Sequence, residues 1–259
     1  SATDCFELYA LGDLHIGSPN CDEDYFIETV DKIARNKKAL WIGMGDMADC
    51  ILPGDKRFDM GVLDKWVKQD DITESLRKRL VKILEPIKDK CLCYLSGNHE
   101  ETLHKYSNAD ISRHICDDLG LPYGGYSAFL NITFRKLKGN NQHNSYWNVL
   151  FHVRHGSGAA QTEGARTMAL MRLVNAFAAD VYLMAHLHCI ATYCPERLEL
   201  VNGKIKSRRL IAAITGSWLK AYEQGSGISY AEMKGYKPTQ IGCPIIQCIP
   251  AENMFKVVT

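Results

Sequence analysis

Five short apolar runs in this chain each end in aspartate, asparagine or histidine, and that placement limits the fold more than any other feature. Phe6–Leu11 runs into Gly12-Asp13-Leu14-His15, residues 39–43 into Gly45-Asp46, and Cys91–Leu95 into Gly97-Asn98-His99-Glu100. Residues 147–153 run into His155-Gly156, and residues 181–185 into His186-Leu187-His188. Four of these ends carry a glycine beside the polar residue. In α/β sheets the loops at the carboxyl ends of strands converge on one crevice, so residues far apart in the chain can meet there.

The rest of the chain fits such a sheet. Further strand-like runs lie at 128–134 and 209–215, and helical spacing of apolar residues marks 24–35, 62–87, 109–119 and 162–177. Strand and helix alternate first, and strands then follow one another, which predicts an α/β fold with mixed sheets. With 259 residues, 46% of them apolar, the chain has enough material for one domain over 1–259. Residues 50–90 form a helical insertion that could act as a cap. Residues 138–145 read as a polar hairpin loop and 225–250, rich in Gly, Pro and Tyr, as mostly irregular.

Composition excludes several classes. The 31 Lys+Arg against 30 Asp+Glu leave no bulk field to draw nucleic acid or an acidic membrane, although a local basic groove stays open. Ten cysteines in a chain of this size read as reduced structural thiols, which implies a cytoplasmic setting. Cys189 and Cys194 lack the second pair that a zinc finger needs. The most apolar long window, 176–193, is broken by Asp180, His186 and His188, so no span of a membrane is expected.

Asp-x-His and His-x-His each place two ligands on one side of an extended turn. Carboxylate, amide oxygen and imidazole together suit manganese, iron, zinc or nickel, whereas calcium would require oxygens alone. No paired cysteines stand at these positions, which argues against a closed structural zinc site.

The ordered set Asp-x-His, Gly-Asp, Gly-Asn-His-Glu, His-Gly and His-x-His over residues 13–188 resembles the calcineurin-like metallophosphoesterase superfamily. Thr215-Gly216-Ser217 looks like that family's closing element. Any one dipeptide would be weak; five blocks in order are specific. The resemblance implies a four-layer α/β/β/α sandwich of two mixed sheets, with the metal site at the strand ends. It implies that Asp13, His15 and His188 hold one divalent metal and Asn98, His155 and His186 a second, bridged by Asp46. Manganese is the first expectation. His99 matches the histidine that protonates the leaving group or steadies the phosphate, with Asp13 placed to orient it.

Two metals roughly 3.5–4 Å apart can bind phosphate oxygens and acidify a bridging water for in-line attack. The departing alkoxide needs a proton, which an imidazolium at His99 can give near neutral pH. The expected substrate is a phosphoester, with a phosphodiester or nucleic acid first and nuclease action by analogy with the repair-nuclease branch. The stretches 229–232 and 235–238 look like phage or prophage members. A phosphomonoesterase acting on a nucleotide or phosphoprotein is the second reading, and a non-catalytic binding scaffold the third.

Several residues keep rival readings. His152 lies three before His155, and His155 is preferred because Gly156 follows it. Glu100 is either a partner that orients a ligand or a solvated, helix-starting carboxylate. Arg154 either touches a phosphate oxygen or lies on the strand's outer face. The small-residue loop 156–160 either offers N–H groups to an anion or is a plain turn, with Thr162 or Gln161 near the helix cap. In the mixed-charge insertion, Lys56 and Arg57 could face substrate. The clusters Arg135-Lys136-Lys138 and Lys204-Lys206-Arg208-Arg209 fall at hairpins, while His104, His114 and His143 read as ordinary residues.

Overall fold

A computed structural model describes residues 4–51, 63–136, 145–222, 232, 235 and 237–259. Two mixed sheets stack face to face, with helices on both outer sides. The first sheet joins β1 (Phe6–Leu11), β2 (Ala39–Met44), β3 (Cys91–Leu95) and β4 (Tyr123–Gly125) in parallel. The second sheet has the order β5-β6-β7-β11-β8: β5 (Ser127–Lys136), β6 (Ser145–Arg154), β7 (Val181–Met184), β11 (Ile211–Thr215) and β8 (Ile190–Tyr193). Its three central strands, β6, β7 and β11, are parallel.

The central strands are apolar on both faces because both faces are covered. Leu8 and Ala10 of β1 point between the sheets, with Ile42, Met44, Cys93 and Leu95, against Phe151, Val153, Leu183 and Ala213 from the second sheet. Their alternates Tyr9, Leu11, Trp41 and Tyr94 pack under α1 (Glu23–Arg35), α2 (Ile72–Leu84) and α4 (Ile111–Leu119). On the far side, α5 (Glu163–Ala176) lays Leu170, Leu173 and Val174 over Tyr182, Met184, Ala212 and Ile214. This is the four-layer sandwich that the family resemblance implies, built on the mixed α/β sheets that the strand and helix pattern predicts.

Three local expectations differ from the structure, and one helix was not foreseen. The helix expected over 62–87 is shorter among the described residues. Turns occupy 63–71, α2 begins at Ile72, and Pro86, which cannot donate a backbone hydrogen bond, opens a 3-10 turn over Glu85–Lys90. The run 209–215 divides: Arg209 ends β10 (Lys204–Arg209), which pairs with β9 (Glu196–Val201) in a hairpin, and β11 starts two residues later. The stretch 225–250 is not irregular at its end, since β12 (Ile245–Ile249) pairs antiparallel with β1 and with β13 (Met254–Val258). A polar helix, α3 (Asn98–Ser107), starts on a candidate ligand. Lys56, Arg57, Lys138, His143 and residues 229–231 lie outside the described residues. Among the described residues no helix is long and apolar enough to cross a membrane.

Candidate metal centre

The carboxyl ends of β1, β2 and β3 in one sheet and of β6 and β7 in the other open on one rim, and the loops that follow them carry the polar blocks. Five of those residues bend the chain sharply. Asp13, His15, Asp46, His186 and His188 all have φ between 47° and 76°, the left-handed region that non-glycine residues seldom occupy. Each such residue costs about 1–3 kcal/mol and persists only where its surroundings hold it, as at functional sites. Glycine lets the loops touch. A Cβ on Gly97 would lie 2.2 Å from the Asp46 carboxylate, and one on Gly45 would lie 2.7 Å from the His155 ring.

The side chains meet in overlapping groups, linked by a third set of His15, Asp46 and His99. Asp13, His15 and His188 offer ligand atoms within 4.8 Å of one another, and so do Asp46, His155 and His186. His15 Nε2 faces His188 Nε2 at 3.1 Å, and His188 Nε2 lies 3.5 Å from Asp13 Oδ1. Asp46 Oδ2 stands 4.0 Å from His15 Nε2 and 3.2 Å from His155 Nε2, and so reaches both groups. Asn98 Oδ1 is 3.0 Å from His155 Nε2. All seven side chains named from the sequence therefore converge on one crevice.

Hydrogen bonds on the outer ring atoms fix which nitrogens face inward. His155 Nδ1 donates to the Met44 carbonyl at 2.8 Å, leaving Nε2 toward Asp46. His186 Nε2 donates to the Gly158 carbonyl at 3.0 Å, and its Nδ1 is buried without a hydrogen-bond partner among the described residues. Asp13 Oδ1 is likewise buried without a hydrogen-bond partner among the described residues, while Asp13 Oδ2 accepts from the His186 backbone N–H at 2.7 Å. Orphaned buried acceptors are costly, and a cation among them removes that cost. The donor set thus fits divalent metals. Burial disfavours the charged form of Asp46, yet His155, His99 and His15 hold its carboxyl well below the usual range. Burial also pushes the His155 ring down, but Asp46 outweighs it and raises the ring to about 9.

His152 lies elsewhere. It points to the α5 side of β6, stacked on Phe177 with ring centroids 3.9 Å apart, and its Nε2 meets Ser127 Oγ at 3.2 Å. Glu100 is buried and accepts from the backbone N–H groups of Asp46, Met47, Ala48 and Gly97 at 2.7–3.1 Å. It clamps the Asp46 loop and touches no candidate ligand side chain. Burial and the Asp46 charge push its carboxyl up to about 7. Arg154 pairs in register with Met184, on the α5 side, with Nε buried and unpartnered among the described residues. The loop 156–160 offers carbonyls: Gly156 accepts from Tyr126, Gly158 from His186 and Ala160 from Arg166. Thr162 caps α5 by accepting from the Ala165 N–H. Ser217 Oγ donates to the Asp13 carbonyl at 3.0 Å, so the Thr215-Gly216-Ser217 segment does close on the first loop.

One residue that sequence reasoning missed stands at the centre. Asp49 is buried, with Oδ1 3.0 Å from His99 Nδ1 and 3.5 Å from His15 Nδ1. Burial opposes its charge, but His15 and His99 hold its carboxyl far below the usual range. The sequence shows only a second carboxylate three residues after Asp46, which by itself does not set it apart from any loop carboxylate. His99 itself packs edge-on against His15 with centroids 4.6 Å apart, and its backbone N–H donates to Asp46 Oδ1 at 2.9 Å.

No curated protein sequence matches the chain. Among solved structures, zinc-complexed wild-type Vps29 of Entamoeba histolytica aligns at 12% identity and a TM-score of 0.39, covering 98% of this chain and 97% of that one. A conserved uncharacterized protein of Streptococcus pneumoniae, described as a predicted phosphoesterase, aligns at 11% identity and a TM-score of 0.37, covering 95% and 84%. Likeness at this level carries no chemistry. The family match is different: residues 6–189, which hold all five strand ends that carry the candidate ligands, fit the calcineurin-like phosphoesterase model, and the chain belongs to that family.

Proposed function

We propose that the protein is a two-metal phosphodiesterase with nucleic acid as its first substrate class, built as one catalytic domain with residues 50–90 as an insertion. The observation that carries the reading is the convergence of Asp13, His15, His188, Asp46, His155 and His186 in overlapping groups linked by His15, Asp46 and His99, with Asn98 against His155 and Asp49 against His99. Asp13, His15 and His188 would hold one cation and Asn98, His155 and His186 the other, with Asp46 shared. A thiolate-free set of carboxylate, amide and imidazole suits manganese, with iron, zinc or nickel as alternatives. When bound, such a pair supplies the positive charge that takes up phosphate oxygens and activates water for in-line displacement.

The chain's own residues do the remaining work. Asp49 anchors both His15 and His99 through Nδ1, which leaves the Nε2 atoms for a ligand role and for a proton donor role respectively. His99, protonated, gives its proton to the leaving oxygen, with the Asp49 carboxylate 3.0 Å from its Nδ1. Glu100 keeps the Asp46 loop in its left-handed bend through four backbone N–H groups.

The test is turnover by manganese-loaded protein on bis-p-nitrophenyl phosphate, p-nitrophenyl phosphate, single- and double-stranded DNA, and RNA. The proposal expects diester and nucleic-acid cleavage, abolished by a chelator. Turnover of the monoester alone would make the protein a phosphomonoesterase, and no turnover of any ester would favour a binding scaffold.

A further inference from the structure

Helix α5 covers only part of the second sheet. It packs on Tyr182 and Met184 of β7 and on Ala212 and Ile214 of β11, while β5 lies beyond β6 at the sheet's edge. Alternate residues of β5 and β6, among them Phe134, Val149, Phe151 and Val153, point between the sheets. The others form an outer face on which every outward residue of β5, from Ser127 to Arg135, is exposed. An antiparallel pair can wet one face, and a wetted face is ordinarily polar. This one also carries rings: Phe129 is 53% exposed and Tyr146 62%.

Phe129 is held in place. Its ring centroid lies 4.8 Å from that of His152 and 6.0 Å from that of Phe177. His152 and Phe177 are themselves stacked at 3.9 Å, so they fix a ring that is still half in solvent. Tyr146 stands opposite Arg135 in the ladder, three steps of this face and about 20 Å from Phe129. The charge here has one sign. Arg135 and Arg154 lie at outward positions, and no outward position holds a carboxylate. The face also ends at the metal centre. Arg154 immediately precedes His155, and Tyr126, beside Ser127, donates to the Gly156 carbonyl at 2.8 Å with its ring 5.4 Å from that of His155.

We propose, resting on the diesterase reading of the centre, that the outer face of β5 and β6 binds single-stranded nucleic acid and leads it to the metals. Bases stack on Phe129 and Tyr146, and phosphates meet Arg135 and Arg154. Aromatic rings and arginines suit a single strand because every base has a face to stack and every phosphate a charge. A duplex keeps its bases stacked on one another and leaves the rings unused. A protein partner fits less well, since Asn131, Thr133 and Asn148 separate the two rings where an interface core is apolar. The 10-residue strands make a face about 30 Å long, on the scale of sites that hold roughly 4–16 nucleotides.

Fluorescence anisotropy of a labelled oligothymidylate of about 12 nucleotides, titrated with the full chain in a chelator, reads binding apart from cleavage. Phe129→Leu and Tyr146→Leu should each weaken binding roughly 5–100-fold, and Phe129→Tyr should retain it. Arg154→Gln should lower the slope of log affinity against log salt by about 0.7. A duplex should bind more weakly than the single strand. Each variant should keep the parent's thermal unfolding and, with manganese, its rate on bis-p-nitrophenyl phosphate, which is too small to span the face. On the oligonucleotide with manganese, KM should rise and kcat stay. Absence of single-strand binding, parent-like binding by the leucine variants, or a duplex bound as tightly overturns the proposal. Cleavage of the oligonucleotide with KM unchanged in these variants overturns the face alone and leaves the diesterase reading standing. Ring-dependent binding by a protein that cleaves no diester upholds the face and overturns the diesterase reading.

Discussion

Replacing Asp49 by asparagine removes one charge from the centre and almost no volume. Both contacts of Asp49, to His99 Nδ1 at 3.0 Å and to His15 Nδ1 at 3.5 Å, run to the same oxygen, and its side chain is only 7% exposed. The variant keeps a polar oxygen facing both rings but loses its charge, exchanging contacts to a charged group worth ~1.5–3 kcal/mol for neutral polar ones of ~0.5–1.5 kcal/mol. The loss at His99 is then about 1–1.5 kcal/mol, close to tenfold in rate. Burial leaves little solvent to screen the change. The second contact orients a candidate ligand, His15, and loss of such a partner typically lowers metal affinity ~10–100-fold. With manganese saturating, kcat on a dinucleoside phosphate should fall about tenfold and kcat on bis-p-nitrophenyl phosphate by less than about threefold, because nitrophenolate departs with little need of a proton. The metal concentration for half-maximal rate should rise in step with the affinity loss. Equal losses on both substrates, or an unchanged metal requirement, would refute the role given to Asp49.

Three further outcomes follow from the same geometry. His155→Ala should lose one of two bound metals, whereas His152→Ala should keep both; metal content by mass spectrometry decides, and the reverse result would move the ligand three residues upstream. His99→Asn should keep both metals yet lose about 10²–10⁴-fold on nucleoside esters, with a much smaller loss on nitrophenyl esters; loss of a metal would make His99 a ligand. Acid should weaken the metal-free fold through His152, whose ring burial and Arg154 press down to about 4. A folded value below the unfolded ~6.5 means that the stability is present above pH 6.5 and lost as pH falls toward 4, about 2 kcal/mol by pH 5. Urea midpoints at pH 7 and 5 should therefore converge in His152→Phe relative to the parent protein, and an equal acid loss in both would contradict the assignment.

The centre was legible because buried strands rarely end in aspartate or histidine without a reason, and five ends in order gave that reason. Its support was not. Asp49 looks in sequence like any loop carboxylate, and only the fold carries it between His15 and His99. Glu100 left two readings open because nothing local shows that four N–H groups from two loops converge on it. β12 escaped notice because Ile245–Ile249 follows a Gly- and Pro-rich stretch, and its pairing with β1 is a contact across almost the whole chain. α3 is polar nearly throughout, so helical periodicity had little apolar signal to show. β9 and β10 were not read as strands, although the basic cluster 204–209 was placed at a hairpin, and which face looks outward was decided by Arg197 and Arg208 gripping the body.

The central claim is that Asp46 is shared by two metal sites, and metal counting tests it most directly. Manganese-loaded protein, freed of loosely held ions and analysed by inductively coupled plasma mass spectrometry, should carry two ions per chain, and Asp46→Ala should carry at most one and hydrolyse no diester. Two tightly held ions in Asp46→Ala, or fewer than two in the parent chain at saturating manganese, would contradict the account.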